Sequence, residues 1–288
     1  MFLQASSALR YAETVSNPYL LSIPSGTIVA KPIVVDLDAG SLMIRMSDGA
    51  SATVFVKANG SAVSIDVEAG REANLTIVCL QNGASSDVSL SQKGRIAEGG
   101  SIHWINVTLG AAVAQTLTSE VSGVDGRSDI DWIFFAHDKH RQKISADNVF
   151  SAARGAGEIT MRGIARDRGI AECKGMIKIG PNGSGTDTYL TQNMLMLDST
   201  AKVDAVPGLE IKTNDVKASH SATVSRITAE DLFTFTARGI EEEDARSMLI
   251  EGFLGEMIGK IADGGVRGIV EEALAISSPS SPSGCPAG

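Results

Sequence analysis

Four groups of residues in this sequence are of types that do chemistry. The first is His137-Asp138-Lys139-His140, directly after the aromatic run Trp132 to Phe135. Two imidazoles and a carboxylate can hold a divalent metal on a turn. Lys139 and Arg141 set two cations beside them, so a charged, solvent-facing turn is the better reading. The second stretch is Gly180-Pro181-Asn182-Gly183-Ser184-Gly185. A phosphate-cradling loop ends in Gly-Lys-Ser/Thr and opens a helix whose N-terminus holds the anion. Here neither follows, so the stretch reads as a turn between strands, and with no Walker motif elsewhere this chain is expected to bind no nucleotide. The third, Lys217 to Thr223, sets His220 alone among small and polar residues. By residue type alone it is a structural histidine, and His103, before Trp104, is an outward-facing strand residue. The fourth is the set of cysteines, Cys79, Cys173 and Cys285, too far apart for a metal knuckle and odd in number for a disulfide framework. There is no Gly-x-Ser-x-Gly elbow. A nucleophile brought together only in space stays open at this point, and the cysteine usage suits a reducing cytoplasm.

The elements that must position these residues change character along the chain. From about residue 27 to 225 short apolar runs alternate with Gly, Asn, Asp and Ser. Val63, Ile65, Val67 and then Leu75, Ile77, Cys79 have the period of strands with one buried face. Turn signals such as Asp48-Gly49, Asn59-Gly60, Asp125-Gly126 and Pro181-Asn182-Gly183 separate such runs. This spacing suits a β-sandwich, a barrel or a β-solenoid. An aromatic content of only 5% favours the solenoid, whose thin core is filled by small aliphatic side chains.

Beyond residue 225 the period becomes helical. Thr228-Ala229-Glu230-Asp231 has the form of a capping box, and Arg238-Gly239 suits a helix C-terminus. A second helix opens on Glu241, Glu242, Glu243 and Asp244, with Ala245, Met248, Leu249, Gly252, Phe253 and Met257 as its apolar face. A third is expected over 266–276. The divisions are an N-terminal segment 1–26, a strand region 27–225, a helical region 226–276 and a disordered Ser/Pro/Gly tail 277–288.

Charge follows the same division. The 288 residues carry a formal charge of −9, and residues 228–276 hold 11 of the 34 acids against 4 bases. An acidic chain without a basic patch has no footprint for nucleic acid. No apolar run reaches the length of a membrane span, and no secretory leader is visible in the sequence.

From about Ile164 to Ile258 the sequence resembles the SufB/SufD family of iron–sulfur cluster assembly proteins. The resemblance runs through Cys173-Lys174-Gly175-Met176-Ile177-Lys178-Ile179, Gln192-Asn193-Met194-Leu195, Pro207-Gly208-Leu209-Glu210-Ile211 and Asn214 to Thr223. It continues through Leu232-Phe233, Arg238-Gly239-Ile240, Glu243-Asp244-Ala245-Arg246 and Ile250-Glu251-Gly252-Phe253. It implies a mainly β fold, a right-handed parallel β-helix (β-solenoid) core with a C-terminal α-helical domain. It also implies pairing through the β-helix with a second SufB/SufD-family subunit and docking of a SufC-like ABC-type ATPase through the helices. The residues so implicated in docking are Phe233, Arg238, Gly239, Glu243, Arg246, Glu251 and Phe253.

Scaffold-type members of the family carry Cys where this chain has Thr191, and Glu where it has Ser221. His220 is retained, as in SufD-type members, and neutral imidazole can ligate iron. The resemblance therefore implies a SufD-like subunit with His220 as an iron or cluster ligand and iron or a transient iron–sulfur cluster as the group handled. The alternative is a homodimeric scaffold that builds the cluster itself. A β-helix acting on carbohydrate lacks its clustered Asp or exposed aromatic platforms here. Cys173 and Cys79 read as buried core thiols.

Overall fold

The structure, a computed structural model, describes residues 12–13, 19–83, 87–110 and 112–277. The first strands are β1 (Ala12–Glu13), β2 (Tyr19–Ile23), β3 (Ile33–Leu37), β4 (Gly40–Met46), β5 (Ser51–Ala58) and β6 (Ala62–Ala69). They are followed by β7 (Asn74–Gln81), β8 (Val88–Ile96), β9 (Ser101–Thr108), β10 (Ala112–Val121), β11 (Arg127–Ala136) and β12 (Arg141–Phe150). The last are β13 (Ala156–Ala165), β14 (Ile170–Ile179), β15 (Thr186–Met196), β16 (Lys202–Ile211) and β17 (Val216–Arg226). Three helices follow among the described residues, α1 (Ala229–Thr236), α2 (Glu242–Gly259) and α3 (Gly264–Ser277). The tail expected beyond residue 277, with Cys285, lies outside the described residues, as does most of the segment 1–26.

From β2 onward successive strands alternate between two sheets. Even-numbered strands, led by β1, stack in order in sheet A, and odd-numbered strands β3 to β17 stack in sheet B. Apart from β1 against β2, neighbouring strands in both sheets are parallel, for example β10 with β12 and β11 with β13. The chain is a parallel β-solenoid, as the resemblance implied.

Coil length explains why the sequence shows no strict repeat. Residues one coil apart are 23 positions apart at Arg45 and Glu68, 27 at Asn74 and Ser101, 29 at Asp129 and Glu158, and 31 at Ile159 and Leu190. The interior changes with the coil. Early coils are filled by Ile23, Ile44, Val54, Ile65 and Ile77, whereas later ones enclose Trp104, Trp132, Phe134 and Phe150. A wider cross-section needs larger groups to reach native packing density.

Amides fill the remaining space. Gln92 and Asn106 exchange hydrogen bonds at 3.1 and 2.8 Å, Gln115 donates to Gln92 Oε1 at 3.1 Å, and Thr108 donates to Gln115. Because Gln115, Ser119, Gln142 and Asn148 occupy buried positions, β10 and β12 carry no simple apolar alternation, and sequence periodicity does not reveal them.

The helices do not stand apart from the solenoid. Phe55, Val78, Ile105, Ile133, Phe135, Ile164 and Leu195 form one apolar cluster with Ile250, Leu254, Met257, Ile261, Val266 and Val270. Helices α2 and α3 thus cover the outer side of sheet B, which is why β7, β9 and β11 are buried on both faces toward their ends. The buried side of α2 is Ala245, Ile250, Leu254 and Met257, while Met248 is 49% exposed. The stripe expected from spacing is therefore rotated. The helix meets both a sheet and α3, and their combined surface selects the buried positions.

Candidate interface on the terminal coil

Strands β16 and β17 end sheets A and B and make up the last coil. Its inward-facing positions follow from register. Trp104 pairs with Ile130, Ile130 with Ile159, Ile159 with Leu190 and Leu190 with His220. The four residues beneath His220 are all buried in the solenoid core. His220 continues that column but is exposed, because no further coil covers it among the described residues. Val216 and Ala218 of the same face are only partly buried against the core, as are Val203, Ala205 and Leu209 of β16. Val224 and Ile211 are 49% and 40% exposed. The end of the solenoid is therefore an apolar surface with an imidazole in it. Its rim carries ion pairs, Lys212 with Glu210 at 2.8 Å and Lys217 with Asp187 at 3.8 Å. The ammonium of Lys212 holds the Glu210 carboxyl below the ordinary carboxylate range.

Thr191 and Ser221 are direct register partners on β15 and β17. Because side chains alternate along a strand, they share the opposite face of sheet B from His220. The sequence sets Ser221 next to His220, whereas the fold sets the two side chains on opposite sides. One imidazole with no thiolate or carboxylate on its own face does not by itself make an iron site.

Below the terminal coil, Gln192 Nε2 lies 3.3 Å from Cys173 Sγ, and Cys173 Sγ lies 3.4 Å from Met161 Sδ. Burial raises the Cys173 thiol pKa far above its ordinary value, with the Gln192 contact opposing it in part. Burial alone pushes Cys79 up to about 12. Both are core thiols, as expected, and neither is a thiolate ligand at neutral pH.

The docking residues expected on the helices separate into two groups. Phe233 is 68% exposed on α1, and Glu251 is exposed on α2. Arg238 donates to the Thr234 carbonyl at 2.9 Å, and Gly239 takes φ +81° just past α1, a left-handed conformation that glycine adopts freely. The others are used inside the chain. Arg246 donates to the Leu197 carbonyl at 3.0 Å and pairs with Glu242. Glu243 lies 3.6 Å from Arg166. Phe253 sits under the Arg162 guanidinium, 5.7 Å from its ring centroid, and its carbonyl accepts from Arg162 at 2.5 Å. The expected capping box is present, with Thr228 and Asp231 satisfying each other's backbone N–H.

Two expectations fall elsewhere. Gly180 to Gly185 is the turn between β14 and β15. His103 is not a plain solvent-facing residue: its Nε2 lies 2.7 Å from Asp131 Oδ2, beneath the end of α2. No spacing rule signals that contact, since its third member, Lys260, is 129 positions from Asp131.

The fold is a parallel β-solenoid with two helices folded along one of its sheets. The family model for the SufBD core domain of the SUF system for Fe–S cluster assembly matches residues 33–253, and the chain belongs to the SufBD family. An iron–sulfur cluster assembly SufBD family protein of Mycobacterium leprae is 30% identical over 285 residues, covering 92% of this chain and 71% of its own length. A SufBD family protein of Staphylococcus saprophyticus is 24% identical, covering 73% of this chain and 46% of its own length. The iron–sulfur cluster assembly protein SufD of Escherichia coli is 39% identical over 104 residues, 36% of this chain and 25% of that protein. The chain thus spans less than half the length of two of these three relatives.

Proposed function

We propose that this chain is a SufD-like, non-enzymatic subunit of a cytoplasmic SUF complex. It pairs through its terminal coil with a second SufB/SufD-family chain and docks a SufC-like ABC-type ATPase through its C-terminal helices. The observation that carries this reading is His220 on the uncovered face of the last coil, with Thr191 and Ser221 at the positions of the scaffold ligands. An open sheet edge beside an apolar surface is a template for another chain. Covering it places His220 at the seam, where a partner's thiolate or carboxylate completes the coordination of iron or of a nascent cluster. The helices offer Phe233 and Met248 as exposed apolar anchors among acidic side chains, which suits an interface with a basic rim.

The second reading is a homodimeric scaffold, in which two copies meet end to end and bring two His220 imidazoles together. Anaerobic affinity purification of the tagged chain from its host separates the two. An ABC-type ATPase with a different family member supports the SufD-like subunit, and the ATPase with only copies of this chain supports the homodimer. His220→Ala should reduce the iron carried by the purified assembly while leaving its subunits associated. Recovery of neither ATPase nor a second SufBD chain removes the proposal.

A further inference from the structure

The turn between β11 and β12 holds a cluster of ligand-bearing side chains away from the terminal coil. His137, Asp138 and His140 each present a ligand atom, and these atoms all lie within 4.8 Å of one another. The two imidazole rings stand 4.1 Å apart between centroids, and His137 Nδ1 is 2.9 Å from Asp138 Oδ2. Two ligands bound to one ion at about 2.1 Å and a right angle are about 3.0 Å apart, so this pair already has the spacing of neighbours in a coordination sphere. His140 Nδ1 is buried without a hydrogen-bond partner. A buried imidazole nitrogen in that state lacks the interaction that offsets its desolvation.

The backbone holds the three residues in place. Asp138 has φ +52°, and the His140 N–H donates to the His137 carbonyl at 2.8 Å. The next coils supply carboxylates in a column, with the Asp138 N–H donating to Asp167 Oδ2 at 3.2 Å and the Asp167 N–H to Asp198 Oδ2 at 2.8 Å. Of the two cations that argue against a metal in the sequence, one is drawn away from the turn. Arg141 is turned to Glu172 at 2.5 Å, and Lys139 is exposed. A pocket lined by Asp138, His140, Asp167 and Thr200, and also by Lys139 and Arg168, opens on the cluster and leaves room for water ligands.

We propose that this turn binds one divalent first-row transition ion through His137, Asp138 and His140, with the remaining positions open to water. Imidazole donors select zinc, cobalt, nickel or ferrous iron over magnesium or calcium. The site is independent of His220 and of the assembly role.

The test uses the purified full chain, stripped of metal with chelator and titrated calorimetrically with zinc chloride and, separately, cobalt chloride. One ion should bind per chain, and an equal concentration of magnesium should give no binding. His140→Ala should weaken binding by about tenfold or more, reflecting loss of one of three protein ligands. Asp138→Asn should do the same, and because Asn tolerates the left-handed backbone its metal-free melting curve should match that of the parent. His220→Ala should bind as the parent does. Equal affinity in the parent, His140→Ala and Asp138→Asn overturns the proposal, as does loss of binding in His220→Ala alone.

Discussion

Lys260, just past the end of α2, donates to a carboxylate oxygen of Asp131 on β11 at 2.7 Å, joining residues 129 positions apart. The Asp131 side chain is 4% exposed, and its other oxygen is held by His103 at 2.7 Å. This carboxylate fastens the helices to the outer face of sheet B, beside the apolar cluster that α2 and α3 share with it.

Removing that carboxylate leaves Lys260 and His103 facing a low-dielectric seam. Asp131→Ala is expected to destabilise the fold by about 3 kcal/mol, the low end of the range for a broken buried pair, because Lys260 retains some water. Urea denaturation of Asp131→Ala, Lys260→Met and the double variant checks this. A double variant no more stable than Asp131→Ala would contradict the assignment of the cost to an orphaned ammonium.

Phe233 and Phe253 should behave oppositely, although the family resemblance groups them. Phe233 is 68% exposed, so Phe233→Ala should leave the melting temperature within about 1 °C while weakening capture of the ATPase. Phe253 packs against the shared cluster and under Arg162, so Phe253→Ala should lower stability by about 2 to 3 kcal/mol. Thermal melts paired with pull-downs distinguish them, and a destabilised Phe233→Ala would count against a docking role.

The buried thiols should be chemically silent. Burial pushes the Cys79 pKa up to about 12 and raises that of Cys173 as well, so both are protonated through neutral pH and thiolate appears only in strong alkali. Iodoacetamide at pH 8 should modify neither residue in the folded chain and both in urea, as read by mass spectrometry. Rapid native labelling of Cys173 would mean that the interior opens beneath the terminal coil.

The cap of α1 should fail in acid. Hydrogen bonds from the Thr228 backbone and hydroxyl hold the Asp231 carboxyl below its ordinary 3.8. A depressed carboxylate contributes stability that is present above the unfolded value and lost as pH falls through the folded one. The cap therefore persists at neutral pH and is released below about pH 4. Carbon-detected NMR titration should place the Asp231 midpoint below 3.8 and Thr228→Ala should raise it. An unshifted midpoint in both would show that the box does not form in solution.

Much of this architecture is carried by local sequence. The alternation Val63, Ile65, Val67, the Asp-Gly and Asn-Gly turns, and the switch to helical period after Thr228 each report interactions within a few residues. Strands β10 and β12 escaped because Gln115, Ser119, Gln142 and Asn148 point into the core, where each makes at least one hydrogen bond, which reverses the usual meaning of a polar residue.

By itself the sequence determined the strand-then-helix order, the acidic helical end and, through its motifs, the SufBD family, since these depend on residue type and short spacing. Only the tertiary structure decided which groups meet. Register across coils set His220 on one face of sheet B and put Thr191 beside Ser221 on the other. Packing of α2 and α3 on that sheet chose the buried side of α2 and brought Lys260 to Asp131. Stacking of coils about 30 residues long, as in the 31 between Asp167 and Asp198, likewise aligned carboxylates near His137 and His140 while Glu172 drew Arg141 aside. The physical reason is that a solenoid makes its contacts between residues one coil apart, and coil length is set by how much each turn must enclose.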